Sequence, residues 1–174
     1  MLADASLLPN RRAVIAVATL TLSLAGAAAR PASLEKALVL AGMERRALES
    51  ARTQATALLQ GEECRKIFSD FADAVGRPLQ EKLDGIGQTP AEYLGRVQFL
   101  NGEVQMLCRR SRVQMVTTGK SRYVYVCPQF RQYQDRHPER APALVIHEAL
   151  HTLGLGENPP TSLEITGRIL ARCQ

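Results

Sequence analysis

Near the C-terminal end of the 174-residue chain lies the stretch Val145-Ile-His-Glu-Ala-Leu-His-Thr-Leu-Gly-Leu-Gly-Glu157. It places His147 and His151 four residues apart, and residues at this spacing lie on the same face of an α-helix. Two imidazoles on one face can hold one metal ion between them. The flanking residues are uncharged, which predicts that this helix is buried.

The pattern His147-Glu148-x-x-His151 also predicts a reaction. Zinc accepts nitrogen and oxygen ligands and keeps an open position for water in catalytic sites. Glu148 is placed to take a proton from that water and pass it to a leaving amine. The competing interpretation is an amphipathic core helix with two ordinary histidines. The chain has only three histidines, and two of them fall at metal-ligand spacing, which favours the metal site.

The longer pattern, from His147 through Gly154 to Glu157, resembles the zinc-binding motif HExxHxxGxxH of the metzincins, and His-Thr-Leu-Gly-Leu-Gly is most similar to the matrixins. The resemblance implies a zinc metallopeptidase in which the glycine ends the helix and the residue three positions later is the third ligand. This chain has glutamate at that position. The methionine-containing turn of that family is absent, because every methionine precedes the motif (Met1, Met43, Met106, Met115). The last third of the chain also resembles exported bacterial HExxH proteins of unassigned function.

Two carboxylates compete for the third ligand position. The remaining histidine, His137, lies in a polar run that predicts a surface loop. Glu157 fits the metzincin spacing and is preferred. Glu164 lies on the next predicted helix, beyond Pro159-Pro160, and would face His151 if the two helices form a hairpin. A glutamate on the following helix is the arrangement of the thermolysin-like class.

The N-terminus predicts a secretory signal peptide over residues 1–29, followed by a single zincin-like domain over residues 30–174. Arg11-Arg12 precede an apolar run, and Ala27–Ala29 supply small residues for cleavage. The apolar run is too short for a firm membrane-span prediction, although an uncleaved anchor is the alternative. We therefore expect a periplasmic or extracellular protein, anchored to the membrane only if the segment stays attached.

All four cysteines, Cys64, Cys108, Cys127 and Cys173, lie in the predicted mature chain. An even number of cysteines in an exported protein predicts disulfides. Four cysteines allow three pairings, and we expect Cys64–Cys108 with Cys127–Cys173, because Cys127 ends a predicted strand and Cys173 ends the last helix. The absence of CxxC spacing disfavours a cysteine metal site.

The remaining patterns predict an α+β fold with N-terminal helices, a small antiparallel sheet and a C-terminal zincin-like helix pair. Helical spacing predicts helices over residues 33–60 and 62–75. Alternating residues predict strands around Val97–Phe99, Val104–Met106, Val113–Thr117 and Tyr123–Cys127, with hairpin turns at Asn101-Gly102 and Gly119-Lys-Ser.

These features predict an exported zinc-dependent hydrolase, one Zn²⁺ per chain, acting on a peptide or protein substrate. A strand of the Val113–Cys127 hairpin could pair with the substrate backbone. No nucleic-acid partner is expected, because the densest basic run, Arg109-Arg-Ser-Arg112, lacks neighbouring aromatic residues. Tyr123, Tyr125 and Tyr133 could donate hydrogen bonds in catalysis, but no pattern places them at the site. The alternatives are a zinc-binding envelope protein without catalysis and a helical interaction module.

Overall fold

The computed structural model describes residues 39–40, 42–110, 112–118 and 121–173, and these residues form an α+β fold, as predicted. The predicted signal peptide and the start of the predicted first helix lie outside the described residues. The helices are α1 (Gly42–Leu58), α2 (Glu62–Arg65), α3 (Ile67–Asp70), α4 (Leu79–Gly85), α5 (Pro90–Arg96), α6 (Gln129–Arg136), α7 (Ala141–Thr152) and α8 (Ser162–Arg172). The strands are β1 (Gln98–Asn101), β2 (Met115–Thr117) and β3 (Tyr123–Val126), with a 3-10 helix at Met106–Arg109.

Helix α7 carries the HExxH motif and lies in the centre of the core. Its residues Val145, Ile146, Ala149 and Leu150 are fully buried. It packs against α1, α8 and strand β2. A helix that is apolar on most sides is stable only when neighbours cover those sides, so the burial predicted from the flanking residues is confirmed. Within the described residues, no helix is both long and apolar enough to cross a membrane.

The three strands form a mixed sheet in the order β1-β3-β2. Strands β2 and β3 pair antiparallel, as the predicted hairpin requires, whereas β1 pairs parallel to β3. The prediction of a wholly antiparallel sheet is therefore wrong. No strand forms around Val104–Met106, because the Asn101 side chain accepts a hydrogen bond from the Glu103 amide and turns the chain out of the sheet.

Gly102 has a packing role instead of a hairpin role. A Cβ atom at this position would lie 2.6 Å from Cys108 Sγ and 2.7 Å from Val126 O. Only glycine lets the backbone approach the neighbouring strand and sulfur this closely. The Asn-Gly pair therefore lets the chain stay close to the end of β3 and enter the 3-10 helix, rather than reverse as a hairpin.

The predicted disulfide pairing is also wrong. The bonds are Cys64–Cys173 and Cys108–Cys127, with Cα–Cα distances of 4.5 and 5.0 Å. Cys108 lies in the 3-10 helix that follows Gly102 beside the end of β3, and this brings it next to Cys127. Cys173 ends α8, which packs on the short helices α2 and α3, so its neighbour is Cys64.

The second predicted helix, over residues 62–75, is interrupted. It forms the short helices α2 and α3, and the chain is then extended from Phe71. The Asp73 side chain accepts hydrogen bonds from the Val75 and Arg77 amides, each 3.0 Å long. A side chain that satisfies nearby backbone amides in this way stabilises a turn in place of helix.

Helix α5 was not predicted, although its start has a recognisable sequence signal. Thr89 and Glu92 form a capping box around Pro90 at the first helical position.

Candidate metal centre

The HExxH motif and the turn after α7 bring three potential metal ligands together. His147 Nε2 and His151 Nε2 are 2.9 Å apart. Glu157 Oε1 lies 3.5 Å from the first of these nitrogens and 3.4 Å from the second. Ligands 2.0–2.1 Å from a tetrahedral zinc ion lie roughly 3.3 Å from one another. The three atoms therefore fit a single ion, and His147, His151 and Glu157 form a group that could bind one.

Each imidazole is oriented by a hydrogen bond to its other nitrogen. His151 Nδ1 lies 2.8 Å from Leu155 O. A carbonyl oxygen can only accept, so Nδ1 carries the proton and Nε2 presents its lone pair to the cluster. His147 Nδ1 lies 2.9 Å from Thr166 Oγ1 on α8, which can accept in the same way. Metal-binding histidines characteristically have such outer partners.

The environment of His147 keeps its ring neutral. Burial, together with the nearby His151, lowers the pKa of His147 to about 4. The imidazole is therefore uncharged at neutral pH. A metal ligand must be deprotonated at the coordinating nitrogen, so this environment suits metal binding.

A helix end built around Gly154 places Glu157. Gly154 has φ +103°, a conformation that favours glycine. The Gly154 amide donates to His151 O, and the Leu155 amide donates to Leu150 O, which together make a Schellman motif. The chain then turns back so that Glu157 faces the two imidazoles. Gly154 therefore ends α7 in a sharp turn, and Glu157 lies three residues beyond it.

An ion pair from another part of the chain holds this turn. Lys82 Nζ donates to Leu153 O at 2.7 Å and lies 2.8 Å from Asp73 Oδ2. The Lys82 hydrogen bond and two backbone amides hold the pKa of Asp73 well below its usual range. Asp73 also forms an antiparallel bridge with Leu155, whose carbonyl oxygen orients His151.

Glu164, the competing third ligand, has a different role. Its carboxylate accepts from the Thr161 amide at 2.7 Å, and its own amide donates to Thr161 Oγ1 at 3.3 Å. This is a capping box at the start of α8. Helix α8 does pack against α7, but it faces the motif through Thr166. The remaining histidine, His137, caps the C-terminal end of α6 and is not part of the cluster.

Replacing each glutamate by glutamine tests which of them binds metal. We expect Glu157→Gln to weaken zinc binding by more than the roughly 10- to 100-fold that loss of an outer partner costs. We expect Glu164→Gln to keep the affinity and to lower stability by less than about 1 kcal/mol, because glutamine can still complete the capping box and only the negative charge at the helix N-terminus is lost. Zinc titration with a competing chelator and urea unfolding measure the two effects. The opposite ranking of affinities would contradict the assignment.

Glu148 lies beside the cluster rather than in it. Its Oε2 accepts a hydrogen bond of 2.5 Å from Thr117 Oγ1 on β2. Burial raises the pKa of Glu148, while the Thr117 hydrogen bond opposes that effect. Glu148 is a half-buried residue between α7 and the sheet, and its carboxylate there can accept a proton.

The cluster opens into a cleft of about 480 Å³ between the sheet and α7. Strand β2 lines one wall of the cleft. Among the described strands only β3 pairs with β2, so the other side of β2 is an edge of the sheet. The apolar lining residues are Leu107, Val113, Met115, Val116, Leu144 and Leu155. Arg110 and Arg112 also line the cleft. Tyr123, Tyr125 and Tyr133 do not.

Thr166 offers a test of how the imidazole is held. In Thr166→Val, a methyl group replaces the hydroxyl group, so the Nδ1 proton of His147 loses its acceptor. We expect zinc affinity to fall roughly 10- to 100-fold. Thr161→Val, which removes the cap of the same helix, serves as the control and should leave zinc affinity unchanged. Equal affinities in parent and Thr166→Val would show that this contact does not orient the ligand.

Sequence reasoning missed Thr166, Thr117 and the Leu155 carbonyl group. Threonines carry no ligand signature, and their roles depend on which residues α8 and β2 present to α7. The predicted hairpin of α7 and α8 was the available signal, but it directed attention to Glu164. The basic run was considered in the sequence for nucleic-acid binding, yet two of its arginines line the cleft.

Comparison with known proteins gives no assignment. The scan against protein-family models, the search of curated proteins and the search of solved structures each found no match to this chain.

Proposed function

We propose that this protein is an exported zinc-dependent hydrolase that cleaves peptide bonds. The observation that carries the proposal is the convergence of His147 Nε2, His151 Nε2 and Glu157 Oε1, with the Glu148 carboxylate beside them in an open cleft. The metzincin-like order of these residues in the sequence supports the same reaction.

The donor set favours zinc. Two imidazoles and one carboxylate suit zinc better than calcium or magnesium, which prefer sites made only of oxygen ligands. Three protein ligands leave a fourth position open, as in catalytic zinc sites. When bound, zinc lowers the pKa of a coordinated water and polarises a carbonyl group.

Glu148 is the group in the cleft that can move a proton. It follows the ligand His147 on α7, and its carboxylate is held by the Thr117 hydroxyl group. We assign it as the general base that takes a proton from the attacking water. The same carboxyl group, once protonated, can give that proton to the leaving amine.

A peptide substrate is supported by the shape of the cleft. Strand β2 is at the edge of the sheet formed by the described strands, and it lines the cleft beside the cluster. An extended peptide can add to such an edge through main-chain hydrogen bonds. The apolar lining would then contact alternate side chains of the peptide.

Export is supported by the cysteines. The two disulfides account for all four cysteines of the chain, and disulfides persist in oxidising compartments. The predicted signal peptide at residues 1–29 also supports export.

The test is zinc content combined with peptide hydrolysis. We expect one zinc per chain in protein purified without chelator, none in the His147→Ala, His151→Ala double variant, and cleavage of a mixed peptide library by the parent alone. Chelation should abolish cleavage, and added zinc should restore it. A parent protein that binds zinc and cleaves no peptide would overturn the hydrolase proposal, and one that takes up no zinc would overturn the metal site as well.

A further inference from the structure

Two arginines stand in the wall of the cleft without an ion-pair partner. Arg110 and Arg112 line it together with the His147 and Glu148 side chains. Among the described residues, neither guanidinium group is in a salt bridge or a side-chain hydrogen bond. Arg109 belongs to the same basic run but does not line the cleft. We call residues 109, 110 and 112 the basic turn.

The backbone of the basic turn is anchored on both sides. Gln129 Nε2 donates to Cys108 O at 2.7 Å and to Arg110 O at 3.0 Å. The Val113 amide also donates to Arg110 O, at 3.1 Å. The Cys108–Cys127 disulfide ties the preceding residue to the end of β3. Arg110 therefore projects from a backbone that these contacts hold in place, which reduces the entropy lost when its side chain binds a ligand.

The acidic groups of the cleft are already engaged. Glu157 belongs to the metal cluster, and Glu148 accepts from Thr117. The two guanidinium groups are thus available to an incoming anion. Arginine binds carboxylates with two parallel charge-assisted hydrogen bonds, which makes these contacts stronger than neutral ones.

We infer that the cleft selects peptides that carry aspartate or glutamate side chains near the cleaved bond, bound by Arg110 and Arg112. This inference rests on the proposed peptide hydrolysis, because it names the substrate class of that same site. Arg112 precedes Thr117 by five residues, so their Cα atoms are at most about 18 Å apart. A substrate acid bound by Arg112 therefore lies within about five residues of the bond next to Glu148.

The experiment measures binding without turnover. The probe is a short labelled peptide with glutamates on both sides of a central leucine pair, and the comparison peptide has glutamine at each of those positions. Both are titrated into zinc-loaded Glu148→Gln protein. We expect the glutamate peptide to bind at least about tenfold more tightly, since hydrogen bonds to charged groups are the stronger class. The preference should shrink at high salt, because exposed charges are screened.

Two double variants test which arginines cause the preference for the glutamate peptide. The double variant Arg110→Gln, Arg112→Gln should lose the preference for the glutamate peptide, while its zinc content and thermal stability stay unchanged. The control double variant Arg109→Gln, Arg136→Gln loses the same two positive charges outside the cleft and should retain the preference for the glutamate peptide. Three outcomes would each overturn the inference. They are equal binding of both peptides by Glu148→Gln protein with both arginines intact, binding of neither peptide by that protein, and a preference that survives the Arg110→Gln, Arg112→Gln substitutions. Absence of cleavage by the wild-type protein would count against the proposed hydrolysis alone, because the binding preference is measured separately.

Discussion

Replacing Glu148 with glutamine is expected to lower peptide hydrolysis about 100- to 10,000-fold, which is the range typical of losing a general acid–base group. Glutamine keeps the size of the side chain and can still contact Thr117, but it cannot take a proton. Because Glu148 contributes none of the three potential ligand atoms, one zinc per chain should remain. Metal analysis and initial rates of peptide cleavage, measured on the same preparation, check both parts of the prediction.

Two control variants make this result specific. Glu139→Gln removes the same charge from an exposed residue outside the cleft and should leave the rate unchanged. Thr117→Val removes the hydrogen bond that holds the carboxylate, so it should lower the rate less than the loss of the carboxylate itself. A Glu148→Gln protein that retains zinc and the parental rate would contradict the assignment of the base and favour a zinc-binding protein without catalysis.

The core of the candidate site could be predicted because it is local in sequence. The His147 and His151 spacing determines a shared helix face wherever that helix packs. Glu157 was preferred over Glu164 because its spacing resembles the metzincin motif, and the structure places its carboxylate beside both imidazoles. The parts that could not be predicted depend on distant segments. Lys82 reaches the end of α7 from α4, a separation of 71 residues along the chain.

The fold class, the motif helix and the β2–β3 hairpin could be predicted, whereas α5 was missed, no strand forms around Val104–Met106, and β1 pairs parallel to β3. The hydrophobic pattern of α7 and the alternation in β2 and β3 are properties of each segment. Parallel pairing of β1 with β3 depends on where the chain goes after Gly102, and that glycine had been interpreted as half of a hairpin turn. The predicted disulfides rested on Cys127 and Cys173 lying at the ends of elements, whereas the close approach of Gly102 to Val126 and Cys108 is what places Cys108 beside Cys127.

The correct pairing leads to the largest predicted effect on stability. The Cys64–Cys173 bond closes 109 residues, whereas Cys108–Cys127 closes 19. The chain-entropy relation gives about 5 kcal/mol of stabilisation for the longer loop and about 3 kcal/mol for the shorter one. We therefore expect Cys64→Ala, Cys173→Ala to lower the free energy of unfolding more than Cys108→Ala, Cys127→Ala. Urea unfolding of both double variants under non-reducing conditions measures the difference.

The long-range bond should also affect the metal centre, because it holds the end of the helix that carries Thr166. Arg172 still pairs with Asp70 at 2.6 Å and with Glu63 at 3.2 Å, so α8 keeps polar contacts with α2 and α3 in the variant. Under the proposed function zinc binds the native state, so adding it should recover part of the lost stability, by an amount that grows with the logarithm of its concentration over Kd. Equal destabilisation by the two double variants would contradict the loop-length argument. A stabilising effect of zinc that disappears without Cys64–Cys173 would show that this bond is needed to form the site.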